Sequence, residues 1–156
     1  MFSSRKKRFR FYKRMKLKDD RIVLKLRAVS RAGEEPDPVN AYLFDICALA
    51  DGAALGRCDL RVGYTEKLYY AGHIGYTVFE PYRGNRYALS ACFLLQRLAK
   101  RHGMTELIIT CNPENHASKR TCELFGASYV RTVALPEDHE LFLQGERRKH
   151  IFIKSI

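Results

Sequence analysis

Residues 74–100 read IGYTVFEPYRGNRYALSACFLLQRLAK, and a change of pattern within this stretch decides the fold. Its first residues alternate as in a β-strand, until Pro81 breaks the run. Apolar residues then recur at helical spacing, and Gly103 follows as a typical helix end. A short basic turn at residues 83–88 therefore joins a predicted strand to a predicted helix.

Further strand and helix patterns surround this unit. Before it, alternating residues predict strands at 21–29, 41–49, 55–62 and 73–79, with a polar loop at 30–40 and another connection beginning at 65–67. After it, the patterns predict a strand at 107–111, a helix from Asn115 to Phe125, a strand at 129–135, a polar loop at 136–146 and a strand at 149–156. Because consecutive strands joined through a helix run parallel, we predict an α/β fold with a mixed, mostly antiparallel sheet around a central parallel strand–helix–strand unit.

Composition limits the class of protein. The 156 residues, 46% of them hydrophobic, predict a single domain over residues 1–156. No apolar run reaches the length of about 18 residues that a membrane span needs, and no signal peptide is visible. The five cysteines are scattered and form no CxxC pair, so we expect reduced thiols, no metal site and a cytoplasmic location.

The positive charge is concentrated at the N-terminus. Residues 1–27 contain twelve Lys or Arg and two Asp, whereas the rest of the chain is nearly balanced. Residues 1–20 are accordingly predicted to be a basic N-terminal arm, and such a run with interleaved aromatics can bind nucleic acid. No second basic stripe extends it, so nucleic acid is not expected as a partner, and a solvated arm or a first strand with charged flanks is the alternative.

The basic turn itself suits an anion. A helix N-terminus presents unpaired N–H groups and a positive dipole end, Gly84 allows close approach of a ligand, and Arg83 and Arg86 add charge. These features favour a phosphate or pyrophosphate. Neither the Walker loop nor the dinucleotide-binding glycine pattern is present. A structural turn with solvated arginines is the alternative.

The longer stretch GYTVFEPYRGNRYALSACFLLQRLAKRHGMTELIITCNPENHASKRTCELFGA resembles the GNAT superfamily of N-acetyltransferases. That family has a strand, the turn [Q/R]-x-x-G-x-[G/A], a helix, a strand and a second helix opened by Asn. Here Arg83 and Ala88 occupy the ends of the turn, and Asn115 opens the second helix. The resemblance is clear over residues 72–130 and extends to the flanking strands only in their order.

The resemblance implies acetyl-CoA, or another acyl-CoA, as the donor, with no metal. It places the pyrophosphate on the turn and the pantetheine arm along the fourth strand, between splayed parallel strands. The implied binding residues are Val78, Phe79, Arg83, Gly84, Asn85, Arg86, Tyr87, Ala88, Asn115 and Ser118. Asn115 can also simply cap its helix. Arg86 departs from the family pattern, which has Gly there, but the start of a helix does not itself require Gly, so we expect binding to survive.

Acyl transfer from a thioester needs a base for the amine, donors for the oxyanion and help for the leaving thiolate. By resemblance, the base acts near either end of the fourth strand, which makes His73 the first candidate and Glu80 the second. Many family members have a Tyr acid seven residues after the Asn. Cys122 occupies that position here and is a candidate acid, with a core residue as the alternative.

The expected function is an N-acyltransferase that moves an acetyl group to an amine acceptor by direct attack in a ternary complex. Family helices between the first two strands usually wall the acceptor site, but residues 30–40 are too few to form them. The acceptor side should therefore be open, or be completed by residues 136–146 or by a second subunit in a homodimer. The alternatives are a non-catalytic CoA-binding protein of the same fold and a basic nucleic-acid-binding module.

Overall fold

The structure is a computed structural model, and it describes residues 8–33 and 39–156. Its strands are β1 (Ile22–Ser30), β2 (Asn40–Ala48), β3 (Ala54–Val62), β4 (Ile74–Val78), β5 (Glu106–Cys111), β6 (Ser128–Ala134) and β7 (Arg148–Ser155). Its helices are α1 (Glu66–Ala71), α2 (Tyr87–Arg101), α3 (His116–Phe125) and α4 (Glu140–Leu143). A 3-10 turn, Glu80–Tyr82, precedes the basic turn.

The strands form two antiparallel sheets that lie side by side. The first has the order β1-β2-β3-β4, and the second has the order β5-β7-β6. His73, just before β4, bonds to Ile108, whereas Tyr76 lies close to Cys111 at the end of β5. The two strands therefore run in the same direction, joined by α2, and the predicted α/β fold with a central parallel unit is confirmed.

Helix α2 supplies the middle of the core. Its buried residues Ala91, Leu95 and Leu98 recur three or four positions apart, so they form one stripe against the sheets. Leu95 has no exposed surface. Replacing such a leucine by alanine typically costs about 2–5 kcal/mol of stability. This packing holds α2 in place, including its N-terminus, which directly follows the basic turn.

The helix and strand predictions hold to within a few residues, with two additions. Helix α1 lies where only a connection was predicted, and α4 lies within the predicted polar loop at 136–146. Both helices are too short, at six and four residues, to show a helical period. The predicted loop at 30–40 falls partly outside the described residues. Among the residues described, no helix is long and apolar enough to cross a membrane.

The described part of the predicted basic arm packs on the domain. Phe11 and Leu17 are buried, and the N–H of Tyr12 donates to the hydroxyl of Tyr42 at 2.8 Å. The basic residues between these anchors are exposed. Residues 8–20 therefore form a strap with an apolar inner side and a basic outer side, while residues 1–7 lie outside the described part.

Candidate active site

His73 holds the two sheets together at the start of β4. Its Nε2–H donates to the Gly63 carbonyl at 2.8 Å, its Nδ1 accepts the Ile108 N–H at 2.8 Å, and its own N–H donates to the Ile108 carbonyl at 2.7 Å. The side chain is fully buried, and burial lowers its pKa, so the ring is neutral. Because Nδ1 has no lone pair left for a substrate proton, this position argues against the expected role of His73 as general base.

Beyond His73 the two strands separate. The His73 C=O and the Phe79 N–H bond to β3, at Arg61 and Leu55. Antiparallel strands alternate the direction of their backbone groups. The N–H and C=O groups of the even-numbered residues of β4 therefore face the gap between β4 and β5. This gap offers an open strand edge to which an extended ligand can pair.

A cavity of about 610 Å³ opens at the end of β4 and continues between α2 and α3. All of the residues implied as acetyl-CoA contacts line it except Phe79; they are Val78, Arg83, Gly84, Asn85, Arg86, Tyr87, Ala88, Asn115 and Ser118. Arg120 adds a third arginine, and no carboxylate of the described chain lines the cavity. The volume is typical of a small-molecule site, and the charge suits an anionic ligand.

The basic turn leaves the N-terminus of α2 open. Gly84 has φ 86°, and Arg86 ends the turn with φ 60° and ψ 29°, in the left-handed region. Arg86 adopts this conformation with its side chain in place, although a left-handed residue favours Gly. No side chain caps the helix at Arg86. The first N–H groups of α2 therefore remain available to an anion at the cavity.

Arg21, at the foot of β1, braces the turn from outside. Its Nη1 donates to the Asn85 carbonyl at 2.8 Å, its Nη2 donates to Ser90 Oγ at 3.0 Å, and its guanidinium lies 5.0 Å from the centre of the Tyr87 ring. Sequence analysis missed this residue, because its partners are more than sixty positions away. By occupying the carbonyl side of the turn, Arg21 leaves the N–H side free.

Tyr76 forms a hydroxyl pair at the wall of the cavity. Its hydroxyl lies 2.6 Å from Ser118 Oγ, which is itself buried. Burial raises the pKa of the Tyr76 hydroxyl, and the neighbouring Cys122 raises it further. The phenol therefore keeps its proton at neutral pH. In the sequence Tyr76 looks like any aromatic residue of an alternating strand, and only the tertiary structure brings it to Ser118.

Asn115 caps α3, which is one of the two roles predicted for it. Its Oδ1 accepts the N–H of Ser118 at 3.0 Å. The residue is exposed and lines the cavity, so the cap does not remove it from reach of a ligand.

The other two candidate catalytic residues lie away from the cavity lining. Glu80 is exposed in the 3-10 turn. Cys122 is buried beside Cys111, and this contact, together with burial, raises its pKa, so it remains a thiol. Its position favours the core role that was the alternative for this residue. Within the described ranges, no cluster of His, Cys, Asp and Glu side chains could hold a metal ion.

The sequence and the structure both match known acetyltransferases. The family model of the acetyltransferase (GNAT) domain matches residues 3–128. Among curated proteins, no sequence relative matches the chain.

Three solved structures illustrate the likeness in fold. A GNAT-family acetyltransferase from Bacillus anthracis is 19% identical, with 72% of this chain and 65% of that chain covered and a TM-score of 0.57. The microcin self-immunity acetyltransferase MccE, solved with acetyl-CoA and AMP, is 19% identical, with 74% and 61% covered and a TM-score of 0.58. The acetyltransferase that modifies the N-terminal serine of a 50S ribosomal subunit protein in Salmonella typhimurium is 18% identical, with 74% and 64% covered and a TM-score of 0.58. The chain spans less than two thirds of the length of each.

Proposed function

Since the chain belongs to the acetyltransferase (GNAT) family, we propose that it transfers the acetyl group of acetyl-CoA to an amine, by direct attack in a ternary complex. The uncapped N-terminus of α2, opening into an arginine-lined cavity beside a free strand edge, is the observation that carries this proposal. A pyrophosphate and a peptide-like arm are the two groups that such a combination recognises.

The residues of the cavity fit acetyl-CoA group by group. The N–H groups of Gly84 to Ala88 would bind the pyrophosphate, with Arg83 and Arg86 beside them. The free N–H and C=O groups of Tyr76 would pair with the pantetheine amides. The Val78 carbonyl already accepts a bond from Arg83 Nε at 3.0 Å, so Arg83 would share this acceptor with the arm. When bound, acetyl-CoA supplies an activated thioester carbonyl.

We assign the help for the leaving thiolate to Tyr76 rather than to Cys122. Tyr76 lines the cavity and its hydroxyl keeps its proton, whereas Cys122 is buried beside Cys111 and is not part of the lining. A hydrogen bond from this hydroxyl would stabilise negative charge on the departing sulfur. Ser118, at 2.6 Å, orients the phenol.

No side chain is assigned as the base. His73 is fully engaged at the sheet joint, and Glu80 does not line the cavity. An amine that arrives neutral needs only positioning, since holding two reactants together can itself supply about 7 kcal/mol or more of the barrier. The proton then leaves to water. The cytoplasm, where acyl-CoA is available, is the proposed location.

The test measures acetyl-CoA binding by calorimetry and CoA release with a panel of amines. We expect binding by the parent protein and release that depends on the amine. Tyr76→Phe should lower kcat by about 10- to 100-fold with little change in acetyl-CoA affinity. Tyr129→Phe, which removes an exposed hydroxyl from β6, is the matched control and should change neither quantity.

Two outcomes would decide against parts of this proposal. Acetyl-CoA binding without release by any amine would favour the non-catalytic CoA-binding alternative. Full turnover by Tyr76→Phe would remove Tyr76 from the mechanism and leave the thiolate to depart unaided.

A further inference from the structure

A second cavity, of about 190 Å³, opens on the face of the first sheet that α2 does not cover. Arg57 and Thr77 are opposite each other in register on this face, whereas the next residue of β3, Cys58, points into the core near α2. Tyr76 and Thr77 line both this cavity and the larger one. Both cavities therefore border the same part of β4, the strand along which the proposed reaction must bring its two substrates together.

The outer part of this second cavity carries an excess of positive charge. A single carboxylate oxygen of Asp45 lies 3.4 Å from Arg27 Nε and 3.7 Å from Arg57 Nε. The Arg57 side chain is 58% exposed. Exposed ion pairs of this kind contribute little stability. An anionic group on a ligand can therefore bind the guanidinium of Arg57 without a large loss of protein stability.

A negative charge lies on the same face, two residues along β3. Asp59 is paired in register with Gly75, and a side chain at Gly75 would collide with the Asp59 carboxylate, which therefore lies over β4. Arg61 holds this carboxylate at 3.1 Å and is itself bonded to the Gly72 carbonyl at 2.9 Å. Two residues along a strand span roughly 7 Å, so the backbone positions that carry Arg57 and Asp59 are that far apart.

We infer that this cavity is the acceptor subsite, and that it selects amines carrying an anionic group several bonds from the nitrogen. The inference rests on the proposed function. Asp59 attracts the ammonium form of the amine towards β4, where the amine loses a proton to water and becomes the neutral form that attacks. Arg57 and Arg27 bind the anion. The N-terminus of a peptide with an acidic second residue has this chemistry, and so does a small amino acid with a distant carboxylate. A polyamine lacks the anion and meets the positive charges of Arg27, Arg57 and Arg61 on this face.

The test compares amines that differ in one charge. Initial rates of CoA release are measured with the dipeptides Ala-Glu and Ala-Gln, and with aminovalerate and its amide. We expect the parent enzyme to prefer the acid of at least one pair by about tenfold in kcat/KM. A preference limited to the dipeptides identifies a peptide terminus as the source, and one limited to aminovalerate identifies a free amino acid.

Variants connect this preference to the cavity. Arg57→Gln should remove most of the preference without changing the KM for acetyl-CoA, and Arg57→Lys should keep part of it. Arg131→Gln makes the same change at an exposed arginine of β6 and should leave the preference intact.

Calorimetry separates this inference from the proposed function, because the dipeptides can be titrated into CoA-saturated protein without turnover. A preference for Ala-Glu that is lost in Arg57→Gln, with no amine acetylated, would support the subsite and overturn acetyl transfer. Equal use or binding of acid and amide, no binding of either, or a preference that survives Arg57→Gln would overturn the subsite.

Discussion

The two ends of β4 differ in how far their polar groups are bonded within the fold. At the start, His73 uses both ring nitrogens and its backbone N–H on partners within the fold, and no part of its side chain is exposed. At the end, the strand edge is open and the helix that follows the turn is uncapped beside a cavity of about 610 Å³. Polar groups satisfied within the fold hold the sheets together, whereas unsatisfied groups at a cavity are available to a ligand.

The largest expected effect on stability is at the start of β4, where the polar groups are bonded within the fold. His73→Ala leaves the half-buried Gly63 carbonyl and the buried Ile108 N–H without partners and opens a cavity, so we expect a loss of about 3–5 kcal/mol in the free energy of unfolding. Urea denaturation measures this loss. His116→Ala, an exposed histidine at the start of α3, should cost far less. A His73→Ala protein of normal stability but without activity would show that His73 is the base after all.

At the open end, Arg83→Ala should weaken acetyl-CoA binding about tenfold, which corresponds to roughly 1.4 kcal/mol for a lost charge-assisted contact. Stability should hardly change, because Arg83 is exposed. Calorimetric dissociation constants give the answer, with Arg97→Ala on the exposed side of α2 as the control. An unchanged constant in a folded Arg83→Ala protein would remove this arginine from the site.

The stability that His73 provides at the start of β4 should also depend on pH. Burial lowers the pKa of His73, so below the unfolded value of about 6.5 the unfolded chain binds more protons and stability falls as the pH falls. His73 can contribute at most about 1.4 kcal/mol per pH unit there, and nothing above that range. Burial lowers the pKa of His102 and His150 too, so the comparison needs a variant.

His73→Gln can still donate and accept hydrogen bonds but does not titrate. Its Tm should lie below that of the parent at pH 7.5, and the difference should narrow at pH 5.5. A Tm difference that is the same at both pH values would mean that the protonation of His73 does not change on unfolding.

The smallest expected effect concerns the strained residue of the turn. Arg86→Gly should raise stability by about 1 kcal/mol, because glycine adopts φ 60° without the cost that a side chain brings. Acetyl-CoA affinity should fall less than in Arg83→Ala. Arg86→Ala removes the charge but keeps the strained backbone, so it separates the two effects. A lower Tm for Arg86→Gly would show that the arginine side chain stabilises the turn.

Sequence analysis found the features that depend on neighbours along the chain. The helical spacing after Tyr87, the cap at Asn115 and the basic turn are all local, and each lies where it was predicted. It did not find features that depend on distant partners. The two bonds of the His73 ring reach ten and thirty-five residues away, and the brace from Arg21 reaches more than sixty.

The proposed acceptor subsite is the extreme case of this limit. Its charged residues come from β1, β2 and β3, and each belongs to an ordinary alternating strand pattern. Only the register of the sheet brings Arg27, Asp45 and Arg57 together. The proposed acetyl-CoA site can therefore be predicted from one stretch of sequence, whereas the proposed acceptor subsite requires the fold.

A residue-resolved NMR titration with acetyl-CoA tests most directly whether the open end of β4 is the binding site. We expect the largest amide shift changes in residues 76–89 and 115–118, with little change at His73 and Ile108. Changes centred on the N-terminal strap at residues 8–20, or none at the turn under saturating acetyl-CoA, would contradict the assignment of this cavity.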